Sequence, residues 1–130
     1  MSMLQWFRGD DLLTRYFCAW RAHDEDAILR LFTPDATYHV LNKRRVYRGL
    51  GDISSYWKRN SCRQKSLHVT WYTILRSRWV RVCWFRADFI DTEEREHNLV
   101  RGLMCLEGCS RVKRLSEFYI KSTDGAEETC

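Results

Sequence analysis

The stretch Trp79-Val80-Arg81-Val82-Cys83-Trp84-Phe85-Arg86-Ala87-Asp88-Phe89-Ile90 decides the fold. It has no Gly or Pro, and it is apolar at both alternate sets of positions apart from its arginines and Asp88. Such a run reads as a long strand with both faces covered. Its neighbours repeat the pattern. Leu67–Leu75 is rich in β-branched and aromatic residues, Thr92-Glu93-Glu94-Arg95 is a polar turn, and Glu96–Leu106 is a further strand. Glu107-Gly108-Cys109-Ser110 turns the chain again into Arg111–Lys121. The second half is therefore four long antiparallel strands.

The first half has a different period. Leu12, Leu13, Tyr16, Phe17 and Trp20 recur at helical spacing in Asp10–Ala22, behind Asp10 and Asp11, which suit a helix start. A second helix is predicted from Asp24 to Phe32, with Pro34 as its stop, because the residue before a proline is biased away from helix. Ala36–Leu41 and Arg45–Arg48 read as short strands. Asp52–Arg59 reads as a third helix, with Ile53, Tyr56 and Trp57 on one stripe. Helices segregated to one side of an antiparallel sheet make an α+β domain. The prediction is one domain over residues 1–130, with residues 1–9 and 122–130 as frayed ends. It is a conical half-barrel in which a curved, antiparallel (mixed) sheet wraps around three N-terminal helices and an internal pocket.

At 130 residues with 45% hydrophobic and 14% aromatic residues, the chain buries a core without a metal or disulfide staple. The six cysteines form no C-x-x-C pair, so neither zinc nor redox chemistry is supported, and free thiols fit a cytoplasmic location. No metal and no organic cofactor is expected. No window is long and apolar enough to cross a membrane, and the first residues lack the pattern of a signal peptide. The net charge of +5 invites a nucleic-acid reading. The basic residues are scattered, however, apart from Lys43-Arg44-Arg45 and Arg48, so a nucleic-acid partner is not expected. Four strands that are apolar on both faces need cover outside as well as inside, which predicts a homodimer through the sheet.

Several segments, in order and at matching spacing, resemble the SnoaL-like, nuclear-transport-factor-2-like superfamily. They are Tyr16-Phe17-x-x-Trp20, His23-Asp24-x-Asp26-Ala27-Ile28, Leu31-Phe32-x-x-Asp35-Ala36-Thr37-Tyr38, Tyr47-x-Gly49 and Ile53-x-x-Tyr56-Trp57. Gly102-Leu103-Met104-x-Leu106 and Arg111-Val112-x-x-Leu115-x-Glu117-Phe118-Tyr119 complete the set. The resemblance implies a cone with its pocket between helices and concave sheet. It does not fix an activity, because this fold carries isomerases, cyclases, hydrolases and non-catalytic subunits.

Against ketosteroid isomerases, Tyr16 matches the tyrosine of the first helix, but the base position falls on Val40 and the second acid on Gly102. Without a carboxylate base no proton is taken from carbon, so that activity is not expected. Against limonene-type epoxide hydrolases, Arg86-Ala87-Asp88 resembles the Arg-x-Asp element and Glu117 falls at the second acid. Tyr38 matches the tyrosine that holds the water, and no asparagine matches. An arginine between two carboxylates keeps one as a base and leaves the other to act as an acid. The resemblance thus implies Arg86, Asp88 and Glu117 as catalytic residues, provided the strand register turns Arg86 and Asp88 inward. His39, His68 and His97 are the histidines open to a cyclase or dehydratase role.

Alternation puts Val100, Gly102, Met104, Leu115, Glu117 and Tyr119 on the inner face, met by Trp20, Tyr56 and Trp57 from the helices. With Tyr16, Tyr38 and Val40 these make an aromatic pocket suited to a small apolar molecule. Two functions fit. One is a hydrolase or isomerase acting on such a molecule. The other is a non-catalytic dimeric module that binds a ligand or partner. The direction of Asp88 and Glu117 separates them.

Overall fold

The computed structural model describes residues 12–123. Helix α1 (Leu12–Arg21) buries Leu12, Leu13, Tyr16, Phe17, Ala19 and Trp20 on one stripe, as the spacing requires. It ends where His23 adopts a left-handed φ of 53° and the Asp24 N–H bonds back to the Ala19 carbonyl. Asp24 then caps α2 (Glu25–Arg30), its side chain accepting from the Ala27 N–H at 3.1 Å, with Glu25 and Asp26 in the favourable first turn.

Helix α2 is shorter than the sequence predicts. Phe32 opens strand β1 (Phe32–Val40), so Thr33 and Pro34 are extended. The proline fits because β1 shifts register against its neighbour between Phe32 and Thr37, where a missing N–H costs no ladder bond. A short 3-10 turn (Leu41–Lys43) leads to β2 (Arg45–Arg48) and then to α3 (Gly49–Arg63), which buries Ile53 and Trp57. This helix starts earlier and ends later than its apolar stripe indicates. Gly49, at φ +80°, makes the strand-to-helix turn that a side chain would strain.

The rest is β3 (Gln64–Arg76), β4 (Val80–Asp91), β5 (His97–Glu107) and β6 (Val112–Thr123). Together with β1 and β2 they form one open six-stranded sheet in the order β2-β1-β6-β5-β4-β3. All pairings are antiparallel except β1 with β6. Strand β3 is bulged in two places against β4, which adds twist and curvature at that edge. The architecture is thus the expected α+β cone, with the helices in the concave face and the sheet left unclosed.

The core is dense in aromatic rings. Phe17 of α1 stacks on Trp71 of β3 at 4.9 Å between centroids, and Tyr16 meets Trp57 of α3 edge-on at 5.7 Å. On β4 the inward set is Cys83, Phe85, Ala87, Phe89 and Asp91, all buried. The outward set contains Trp84, Arg86 and Asp88. The expectation that Arg86 and Asp88 point inward is therefore corrected. Of the two alternate sets, the odd one buries apolar side chains along most of its length. The even one would bury Arg86 and Asp88 in mid-strand, whereas the charged residues of the odd set, Arg81 and Asp91, stand at the strand ends and find partners there.

Candidate functional site

The site is a cavity of about 190 Å³ between α1, α3 and the concave sheet. Glu117 lies on its wall. It sits in the middle of β6, paired with Val40 of β1 on one side and Met104 of β5 on the other. Its strand partners are apolar and the residue is 5% exposed. The base position that ketosteroid isomerases would place at Val40 thus lies one strand away from a carboxyl this chain does have.

Three tyrosines surround that carboxyl. The Tyr38 hydroxyl donates to Glu117 Oε1 at 2.5 Å, and the Tyr56 hydroxyl reaches the same oxygen at 3.4 Å. The Tyr16 and Tyr38 hydroxyls are 3.2 Å apart. Since Tyr38 gives its proton to Glu117, Tyr16 is the donor to Tyr38. The result is a buried chain running Tyr16 to Tyr38 to Glu117. Strand β1 supplies one hydroxyl, α1 the second and α3 the third, so all three depend on how the helices seat in the cone.

Burial dominates the electrostatics. It pushes the Glu117 carboxyl up to about 7, against the lowering effect of the hydrogen bonds from Tyr38 and Tyr56. The three tyrosines are pushed up too, first by burial and then by the Glu117 charge, so they remain neutral donors. A carboxyl that titrates near neutrality can act as an acid or as a base. Trp57 adds a second unspent group. Its indole N–H is buried on the cavity wall and has no acceptor among the described residues. The matching N–H of Trp20 is already taken by the Gln64 side-chain oxygen at 2.9 Å.

Asp91, at the far end of the cavity wall, is not spare. Its carboxylate takes Arg63 at 2.9 Å and the backbone N–H groups of Glu93 and Glu94 at 2.9 and 3.1 Å. Burial opposes its charge, but these donors outweigh burial and hold the carboxyl below its ordinary range. It fixes the β4–β5 turn.

Of the predicted inward residues, Tyr16, Trp20, Tyr38, Tyr56, Trp57, Val100, Glu117 and Tyr119 line the cavity. Val40 lines an adjoining groove, while Gly102, Met104 and Leu115 are buried on the same face without reaching the cavity. The expected convergence of Arg86 and Asp88 with Glu117 does not occur. Arg86 is exposed on the outer face, and Asp88 lies 3.5 Å from His97 there. His39 pairs with Thr37 at 3.0 Å and His68 is exposed, so none of these histidines lines the cavity. Sequence reasoning missed Asn60, Arg63, Gln64, Phe85, Phe89 and Asp91, along with Lys43 and Lys121. For Phe85 and Phe89, the signal was the same alternation that sends Arg86 outward. Among the described residues no group of three or more His, Cys, Asp and Glu is placed to hold a metal ion.

The family model of the SnoaL-like domain matches residues 13–107, and the chain belongs to that family. Glu117 lies beyond the matched stretch. Among solved structures the chain is similar to the epoxide hydrolase/cyclase-like enzyme SalBIII of pyran-ring formation in salinomycin. The TM-score is 0.75 at 14% identity, over 86% of this chain and 92% of that one. It is equally similar (TM-score 0.75, 18% identity, 86% and 87% covered) to a protein of Catenulispora acidiphila with a ketosteroid isomerase-like fold, solved with trimethylamine. A Shewanella denitrificans structure assigned as a SnoaL-like polyketide cyclase gives 0.75 at 12% identity, with 84% and 88% covered. At these identities the likeness establishes the fold. No curated protein matches the chain.

Proposed function

We propose that this chain is a proton-transfer enzyme that opens an epoxide on a small, mainly apolar substrate, with Glu117 as its acid and base. The observation that carries the reading is a buried carboxyl on the wall of a cavity, 2.5 Å from the Tyr38 hydroxyl, whose burial pushes it up to about 7. Protonated Glu117 donates to the epoxide oxygen as the C–O bond breaks. Water, or a hydroxyl of the substrate itself, attacks the carbon. The carboxylate left behind takes the proton released by that attack, which restores the acid. The Tyr16–Tyr38 chain steadies the carboxylate between the two transfers, and the Trp57 N–H is available to a substrate oxygen. The likeness to an epoxide hydrolase/cyclase-like enzyme supports the reaction class.

Arg86 and Asp88 have no part in this scheme, so it differs from the two-acid hydrolase arrangement. That difference favours a second reading, in which the cavity binds a ligand without turnover. The test is a screen of epoxides and epoxy alcohols with the wild type and Glu117→Gln. Turnover that falls by about a hundredfold or more in the variant supports the enzyme. Ligand binding by both proteins, with no turnover by either, supports the binding module. The same reading takes the chain as a dimer through its sheet, since the outer face leaves Trp84, Leu103, Phe118 and Ile120 in solvent.

A further inference from the structure

The charge around the cavity is one-sided. A groove of about 390 Å³ adjoins it and shares Lys43, Tyr56, Asn60, Arg63 and Tyr119 with it. Arg45 and Arg59 line the groove as well, and Lys121 stands on the cavity's own wall. The described acidic groups that line the two spaces are Glu93 in the groove and Asp91 and Glu117 in the cavity; Glu93 and Asp91 are committed to Arg63, at 3.7 and 2.9 Å, and Glu117 is buried behind its tyrosine hydroxyls. No described carboxylate forms an ion pair with Lys43, Arg45, Arg59 or Lys121. Lys43, Arg45 and Arg59 thus line the groove, and Lys121 the cavity beside it, with no paired carboxylate among the described residues, and a concave site lined mainly by one sign of charge concentrates the opposite sign.

The groove also reaches the chemistry. Tyr56 lines it, and the hydroxyl of that same residue lies 3.4 Å from Glu117. One tyrosine ring separates the basic groove from the buried carboxyl. Tyr47 packs on Tyr56 at 4.4 Å between centroids and continues the groove's aromatic floor.

We infer that the ligand of this cavity is an amphiphilic anion, a carboxylate or a phosphate monoester. Its charged group sits in the groove of Lys43, Arg45 and Arg59, and its apolar end reaches Glu117. The inference rests on the reading of the cavity as a ligand site and names the ligand class that the reading leaves open. It also gives the Lys43-Arg44-Arg45 cluster and the distant Arg59 a common role, since Lys43, Arg45 and Arg59 come from three different elements or turns.

The test uses the full chain and its own fluorescence, because Trp20 and Trp57 lie on the cavity wall. 1-Hexanol, hexanoate and hexyl phosphate are titrated near neutral pH at low salt. At least one anion is expected to bind about tenfold more tightly than the alcohol, with the preference shrinking as salt is raised. The stronger anion identifies the source, carboxylate or phosphate. The triple variant Lys43→Ala/Arg45→Ala/Arg59→Ala removes only exposed side chains and should lose the preference, its affinity for the anions falling to that for hexanol. Equal affinity for alcohol and anions, an undiminished preference in the triple variant, or no binding of any probe each overturns the inference. Failure of the catalytic reading looks different. There the anion preference survives, in wild type and Glu117→Gln alike, and no epoxide is turned over.

Discussion

Glu117 is buried among apolar neighbours with tyrosine hydroxyls but no ion-pair partner among the described residues, and this makes it a measurable liability to the fold. Its folded-state value of about 7 stands above the ordinary 4.5. Below the lower value the carboxyl is neutral in both states and exacts nothing. Between the two values the unfolded chain releases the proton and the folded chain keeps it, so stability falls as pH rises. Above about 7 the full penalty of about 3 kcal/mol is present. Glu117→Gln, neutral at every pH, should therefore gain on the wild type by roughly 10 °C in Tm between mildly acidic and mildly alkaline buffer. Parallel Tm profiles for the two proteins would refute the buried titration. Tyr38→Phe tests the partner. It removes a donor that lowers the Glu117 value, so the titration moves higher, and it leaves the Tyr16 hydroxyl without its acceptor, at about 1–2 kcal/mol of stability. If Glu117 is the acid, activity is lost as pH rises through its titration. The alkaline limb of the pH–rate profile should then shift upward in Tyr38→Phe, whereas an unmoved limb would assign it to another group.

Strands β5 and β6 approach too closely at Gly102 for any side chain. A Cβ there would press on the Phe118 carbonyl oxygen and come within 2.9 Å of the Tyr119 Cα, both of them backbone atoms of the neighbouring strand. Gly102→Ala should cost about 2 kcal/mol or more in denaturant unfolding, because backbone cannot yield as a flexible side chain would. An unchanged midpoint would mean that the two strands part easily. The same element shows how far the sequence could be read. Every strand of the second half was legible from β-branched and aromatic runs between polar turns, and the helices α1 and α3 from their apolar stripes. The inward placement of Glu117 and Tyr119 followed from alternation on β6. Strand β4 was harder, because both of its alternate sets contain large apolar residues and an Arg and an Asp, and what separates them is that Arg86 and Asp88 fall in mid-strand while Arg81 and Asp91 fall at its ends. The basic groove was beyond reach for another reason. Lys43, Arg45 and Arg59 become neighbours only when the 3-10 turn, β2 and α3 close around one end of the cone. Lys43 and Arg45 were visible as a basic cluster, but no spacing in the chain encodes their meeting with Arg59 at the cavity.

Across the whole molecule the unresolved surface is the convex side of the sheet. The strand registers place Tyr72, Trp84, Leu103 and Phe118 directly beside one another, one from each of β3, β4, β5 and β6. All four are substantially exposed, from 41% at Leu103 to 72% at Tyr72, and Ile120 lies next to them. A continuous apolar band of this kind is uncommon on a monomer. A second copy offers the same band, and an isologous pairing of two such faces lets each aromatic row pack on its counterpart. The next row carries Arg86 and Arg101 side by side, with Asp88 in the row beyond. These charges flank the band rather than interrupt it, as a polar rim flanks the centre of an interface. Wild type is therefore expected to sediment at twice the chain mass. Leu103→Arg places a third arginine at the centre of the band, next to exposed positions that can accept it in a free chain. It should sediment as a monomer that keeps its secondary structure and its Glu117 titration. A monomeric wild type at micromolar concentration would assign the band to another partner. A Leu103→Arg protein that stays dimeric would move the interface elsewhere. Because the band and the cavity lie on opposite faces of one sheet, separating the copies should leave the ligand series that defines the pocket unchanged.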